Sequence, residues 1–152
     1  MKFLKTNKTF LFFILFISWT INAFSAINYN DISGKWHLMY KNNYGYEFRF
    51  NSNYRAFCIL YSGTNAVIFK GIYSIEKDKL TLNINEMKNE ENINRINFWS
   101  KFVKTSSSYF IFNIELQGKD KNKTLALKPV KIIIDGNDSN GYFEQEIYLK
   151  RF

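Results

Sequence analysis

The side chains able to do acid–base or nucleophilic chemistry are few in this sequence, and their spacing does not gather them. A general base needs an imidazole or carboxylate within hydrogen-bond reach of the reacting group. The only histidine, His37, lies in Ile32-Ser33-Gly34-Lys35-Trp36-His37-Leu38, where strand alternation sets it opposite Trp36 and so on an outer face. Glu144 and Glu146 share the outer face of the last strand, a usual place for two solvated carboxylates. Cys58, the only cysteine, sits between Phe57 and Ile59; it reads as a small buried residue rather than a reactive thiol, and alone it excludes an internal disulfide. No His, Cys and carboxylate set has metal-ligand spacing. There is also no glycine-rich phosphate loop and no Gly-x-Ser-x-Gly elbow. The chain therefore reads as non-catalytic, with no metal and no cofactor.

The elements that position these residues follow a period of two. Gly34, Trp36, Leu38 and Tyr40 share one face of the first strand, which places Trp36 inward. Asn42-Asn43-Tyr44-Gly45 is a turn, after which Tyr46, Phe48 and Phe50 alternate with Glu47 and Arg49. From Tyr54 to Tyr61 both faces are apolar. Val67, Phe69, Gly71, Tyr73 and Ile75 form the next inward row, with Gly71 marking a bend or a ring packed on bare backbone. Leu80, Leu82 and Ile84 follow. Glu86 to Arg95 breaks the rhythm and predicts a long loop or one helical turn at a rim, placed to cover the mouth. Ile96, Phe98 and Phe102 resume the inward face, and Phe110, Phe112, Ile114 and Leu116 continue it. Leu125 and Leu127 begin a strand that Pro129 interrupts. Ile132 to Ile134 is a short apolar piece, and the last strand is expected from Tyr142 to Phe152. About eight or nine short strands joined by hairpin-like turns predict an all-β chain, a single up-and-down antiparallel β-barrel.

A sandwich would satisfy the same alternation but would not need its first and last strands to pair. Ile147, Leu149 and Arg151 fall on one face of the last strand, so an inward Arg151 can lie across the indole of Trp36. Gly34, with no side chain, leaves room for that approach. The expected closure is thus Gly34, Trp36 and Arg151. A Gly-x-Trp on the first strand with an Arg near the end of the last resembles the lipocalins and their calycin relatives. Within that group the chain resembles more closely the small bacterial lipocalin-like domain proteins. Phe48-Arg49-Phe50 before a tight turn, Gly71-Ile72-Tyr73-Ser74-Ile75, Leu80-Thr81-Leu82 and the terminal Leu149-Lys150-Arg151-Phe152 fit the same pattern. Where that pattern has Asp-Gly the chain has Asn51-Ser52-Asn53, and Glu86 to Lys104 has no counterpart, so no ligand contacts carry over.

Aromatic rings are abundant: Phe 16, Tyr 10 and Trp 3. In a barrel they fill the core or line a chamber. The expected ligand-binding set is Tyr46, Phe48, Phe69, Tyr73, Phe98, Phe110 and Phe112, receiving a small hydrophobic, lipid-like molecule. Trp99 falls opposite Phe98, which makes it either an exposed anchor for a partner or a sign that the strand register differs there. The alternative function is therefore an envelope or host interaction protein with a packed barrel.

The N-terminus bounds the location. Lys2, Lys5 and Lys8 precede the apolar run Phe10 to Ile17, and Ala23-Phe24-Ser25 offers small residues for cleavage. Residues 1–25 read as a Sec-type signal peptide and residues 26–152 as one domain, secreted or periplasmic; the apolar run is shorter than the roughly 18–20 residues a spanning helix needs. The formal net charge of +8 includes those three lysines. The remaining excess is scattered over Lys101, Lys104, Lys119, Lys121, Lys123, Lys128 and Lys131, which argues against a nucleic-acid site. Charged outer positions such as Glu47, Arg49 and Lys70 likewise argue against a porin-like barrel in lipid.

Overall fold

Where apolar residues recur at every second position, a strand buries one face and leaves the other to water. The computed structural model describes residues 26–118 and 122–152; the predicted signal peptide lies outside them. The first strand, β1 (Gly34–Met39), pairs antiparallel with β2 (Gly45–Phe50), Trp36 standing opposite Phe48. β3 (Arg55–Ser62), β4 (Asn65–Glu76), β5 (Lys79–Glu90), β6 (Val103–Gln117) and β7 (Thr124–Ile134) then add as successive antiparallel neighbours. The two-residue β8 (Asn137–Asp138) folds back antiparallel on the end of β7, and β9 (Ile147–Arg151) pairs with β7 and with β1. Eight strands thus close into the predicted all-β antiparallel barrel, with β8 as an extra. Asp135 and Gly136, both at positive φ (48° and 80°), make the two-residue turn into β8, the backbone that a tight hairpin requires.

Closure occurs where the two ends of the chain meet. Trp36 pairs with Arg151 and His37 with Lys150, and the Phe152 N–H donates to the Lys35 carbonyl at 3.0 Å. The Arg151 guanidinium carbon lies 5.4 Å from the Trp36 ring centroid, and an Arg151 Nη donates to the Ser33 carbonyl. Gly34 makes room: its φ is +116°, and Arg151 Nη2 is 3.5 Å from where a Cβ would stand. Only glycine holds that backbone without strain. Below the tryptophan, the short helix α1 (Tyr29–Ile32) seals the barrel's end. Asn28 caps it by accepting from the N–H groups of Asn30 and Asp31, and Asp31 reciprocates on the Asn28 N–H at 2.9 Å, a capping box. Ile32 is fully buried, and its carbonyl accepts the Trp36 indole N–H at 2.6 Å.

Two irregularities bend the wall. Gly71 stands at a register shift between β4 and β5, where a Cβ would run into the Asn83 backbone; the expected bend is therefore a bulge with close backbone approach. Pro129 sits opposite Phe112 where β6 and β7 shift register. Proline has no N–H to give to a ladder, and the bulge lets one continuous β7 replace the two pieces expected.

Other boundaries differ from expectation. Glu86 to Glu90 completes β5, and only Ile93–Arg95 forms a helical turn, a 3-10 one. The next residues do not cover the mouth; Ile96, Phe98 and Phe102 pack against the outer wall of β3 and β4. At the other end of the chain, β9 begins at Ile147 rather than Tyr142, because Asn140–Tyr142 makes a 3-10 turn that aims Phe143 into the barrel.

Arg151→Ala is expected to lower stability by about 1–3 kcal/mol, through the lost ring contact and charged hydrogen bond. Lys150→Ala, at an exposed side chain, should stay within about 0.5 kcal/mol. Urea unfolding followed by tryptophan fluorescence checks both.

Candidate functional site

Of the seven rings expected to line a chamber, four are fully buried in one core cluster: Phe48, Phe69, Phe110 and Phe112. They meet edge to face, Phe69 on Phe110 at 5.0 Å, Phe48 on Phe112 at 5.8 Å and Phe110 on Phe112 at 6.5 Å. This is the geometry that aromatic quadrupoles favour. Tyr73 belongs to the closed end: its hydroxyl donates to the Asn51 carbonyl at 3.1 Å, and its ring is 5.6 Å from Tyr29. Tyr46 is half-buried near the mouth.

The mouth is filled by a residue that alternation did not single out. Phe143 follows the Asn140–Tyr142 turn and is buried with the strand residues. It lies 5.3 Å from Phe112, 5.4 Å from Phe110 and 5.8 Å, stacked, from Tyr46. Every other ring among the buried residues of that cluster sits on a strand; Phe143 alone is carried by a loop. Its neighbour Glu144 fastens the loop, accepting from the Tyr40 hydroxyl at 2.9 Å and the Tyr46 hydroxyl at 3.5 Å. Burial first, and then the Glu144 carboxylate, push both hydroxyl pKa values up, which keeps each a donor.

Phe98 does not face the interior. It packs 5.3 Å from Phe57 on the outer wall, with the Arg49 guanidinium carbon 4.2 Å from its ring centroid. The reason lies in the connection from β5 to β6, which crosses the wall as a strap. Its apolar residues Ile93, Ile96, Phe98 and Phe102 cover Ile59, Ala66 and Ile68. Lys88 anchors it: this buried side chain donates to Glu90 Oε2 at 2.8 Å, to Ser100 Oγ at 2.6 Å and to the Asn97 carbonyl, 5.2 Å from the Phe102 centroid. A buried cation is tolerated only when paired in this way. The two-faced apolar run in β3 was the available signal for an outer cover. Nothing in the local sequence distinguished Lys88 from its solvated neighbours.

The remaining chemical groups stay apart. Cys58 is fully buried, and burial raises its thiol pKa well above the ordinary value, so a thiolate is disfavoured. His37 sits on the outer face with its ring 5.1 Å from Phe152, and its Nδ1 is buried without a hydrogen-bond partner among the described residues. Glu146 pairs with Lys128 at 3.0 Å, away from the Glu144 latch. Among the described residues no cluster of three or more His, Cys, Asp or Glu gathers as a metal would need. A groove of about 830 Å³ opens at the closed end between Ile27, the Lys77-Asp78 turn, Ile114 and Lys128. None of the seven expected rings lines it. No protein-family model matches the chain, and no curated protein or solved structure matches it.

Lys88→Met keeps the aliphatic stem and removes the donors. It should lower stability by about 1–3 kcal/mol and speed proteolytic cleavage between residues 91 and 102, read by mass spectrometry of the nicked chain.

Proposed function

We propose that the chain is an exported, non-catalytic binding protein on a lipocalin-like barrel whose interior is a packed core and whose outer surface meets a macromolecular partner. One observation carries this reading: Phe48, Phe69, Phe110, Phe112 and Phe143 occupy the interior in mutual contact. Small barrels are commonly filled by their own side chains. The lipocalin-like assignment rests on the Gly34, Trp36 and Arg151 closure, and export on the composition of residues 1–25. The scattered titratable groups support the absence of catalysis, since general acid–base work needs them convergent.

A second reading is a small hydrophobic, lipid-like ligand inside the barrel. It is favoured by the loop-borne Phe143, the one core ring whose withdrawal would open a chamber without breaking a strand pairing. Native mass spectrometry of protein from its own source separates the two. A bare mass is expected, with saturable uptake of the apolar dye N-phenyl-1-naphthylamine only in Phe143→Ala; that substitution should also lower stability by about 3–5 kcal/mol. A co-purifying apolar ligand, or saturable dye uptake by the unmodified protein, contradicts the packed interior.

A further inference from the structure

The strap that covers β3 and β4 turns one large ring the other way. Ile93, Ile96, Phe98 and Phe102 pack down on the wall, while Trp99 stands 95% exposed and Val103, just beyond the strap, 65%. The base under Trp99 is anchored on both sides: its N–H donates to Asn97 Oδ1 at 2.9 Å, and Lys88 grips the neighbouring Asn97 carbonyl and Ser100 hydroxyl. An indole held out in this way is not waiting to join the core.

Along the chain from Asn92 to Ile114 the charge has one sign, with no Asp or Glu in that stretch. Arg95, Lys101 and Lys104 are exposed and enter no ion pair among the described residues. The acids nearby are already neutralised: Glu47 by Arg49 and Lys35, Glu86 by Lys70 at 2.5 Å, and Glu90 by Lys88. Lys104 stands across from Glu86 in the ladder, but Lys70 holds that carboxylate. Glu91 is the one acid beside the strap outside these pairs.

We propose that this face docks on a membrane surface bearing anionic phospholipid, with Trp99 entering the headgroup region and Arg95, Lys101 and Lys104 facing the phosphates. Indole rings favour that interface, and basic residues close to it are drawn to anionic lipid. A protein partner fits less well. A stable protein interface buries about 800 Å² per side around an apolar centre, whereas the exposed strap residues between Ile93 and Phe102, other than Trp99, are polar or cationic: Asn94, Arg95, Asn97, Ser100 and Lys101. The inference rests on the reading that the interior is packed and the outer surface does the binding, and it puts a lipid membrane in place of a macromolecule as what that surface meets.

Co-sedimentation of the full chain with vesicles tests it, comparing phosphatidylcholine alone with phosphatidylcholine containing phosphatidylglycerol. The unmodified chain, Trp99→Ser and Lys101→Glu/Lys104→Glu all carry residues 1–25, so differences between them belong to the strap. Both changes fall on exposed side chains, so unfolding midpoints should match. Binding to the anionic vesicles should fall about tenfold or more in each variant and weaken with added salt. Equal binding by all three chains, or equal binding to both vesicle types, overturns the proposal. No vesicle binding together with a bare native mass overturns the lipid partner and leaves the packed barrel standing. A ligand released from the interior instead counts against the outer-surface reading itself.

Discussion

The fold depends on one seam between residues far apart in sequence, where β1 pairs with β9 and the guanidinium of Arg151 lies over the indole of Trp36. Without that seam β1 and β9 would each present an unpaired edge, a ready template for aggregation. Closure also decides what the interior is. Once the strands curl to meet, every second side chain points into a narrow space whose far end is stopped by Ile32 and Trp36. Gly34 and the Ser33 carbonyl supply the space and the acceptor that keep the arginine there. A single arginine thus does two jobs, packing and hydrogen bonding, that a lysine's point charge would not combine.

Inside the closed wall, bulk takes over. Rings from β2, β4 and β6 meet edge to face, and Phe143 completes the cluster from outside the strand set. Its position resembles that of a guest more than of a wall residue, held by a carboxylate between two tyrosine hydroxyls at the rim. The outer wall carries a second, smaller apolar cluster. The barrel therefore has cover on a face that alternation alone would leave to water, and Trp99 is the outermost point of that cover.

Much of the architecture was legible because alternation is a local property. Trp36, Phe48, Phe69, Phe110 and Phe112 are inward as their spacing implies, and the chain's ends pair as expected, but Arg151 is not inward: it stays exposed where its guanidinium lies over the indole at the barrel's end. Two features were not legible, for a shared reason. Phe98 and Phe143 sit in irregular segments, where direction is set by turns and side-chain caps rather than by period. Asn92 and Asn97 cap the strap's backbone, and the Asn140–Tyr142 turn redirects the chain before β9. Lys88 was hidden for a different reason: a buried lysine is identified by its partners, and Asn97 and Ser100 lie nine and twelve residues onward.

The barrel's closure is open to direct observation by solution NMR of the β1–β9 seam. Cross-strand amide contacts between His37 and Lys150, and slow hydrogen exchange at the Phe152 N–H that bonds the Lys35 carbonyl, are the expected result. Rapid exchange at that amide, with no contact between the two strands, would mean an open sheet, and the packed interior would lose its basis.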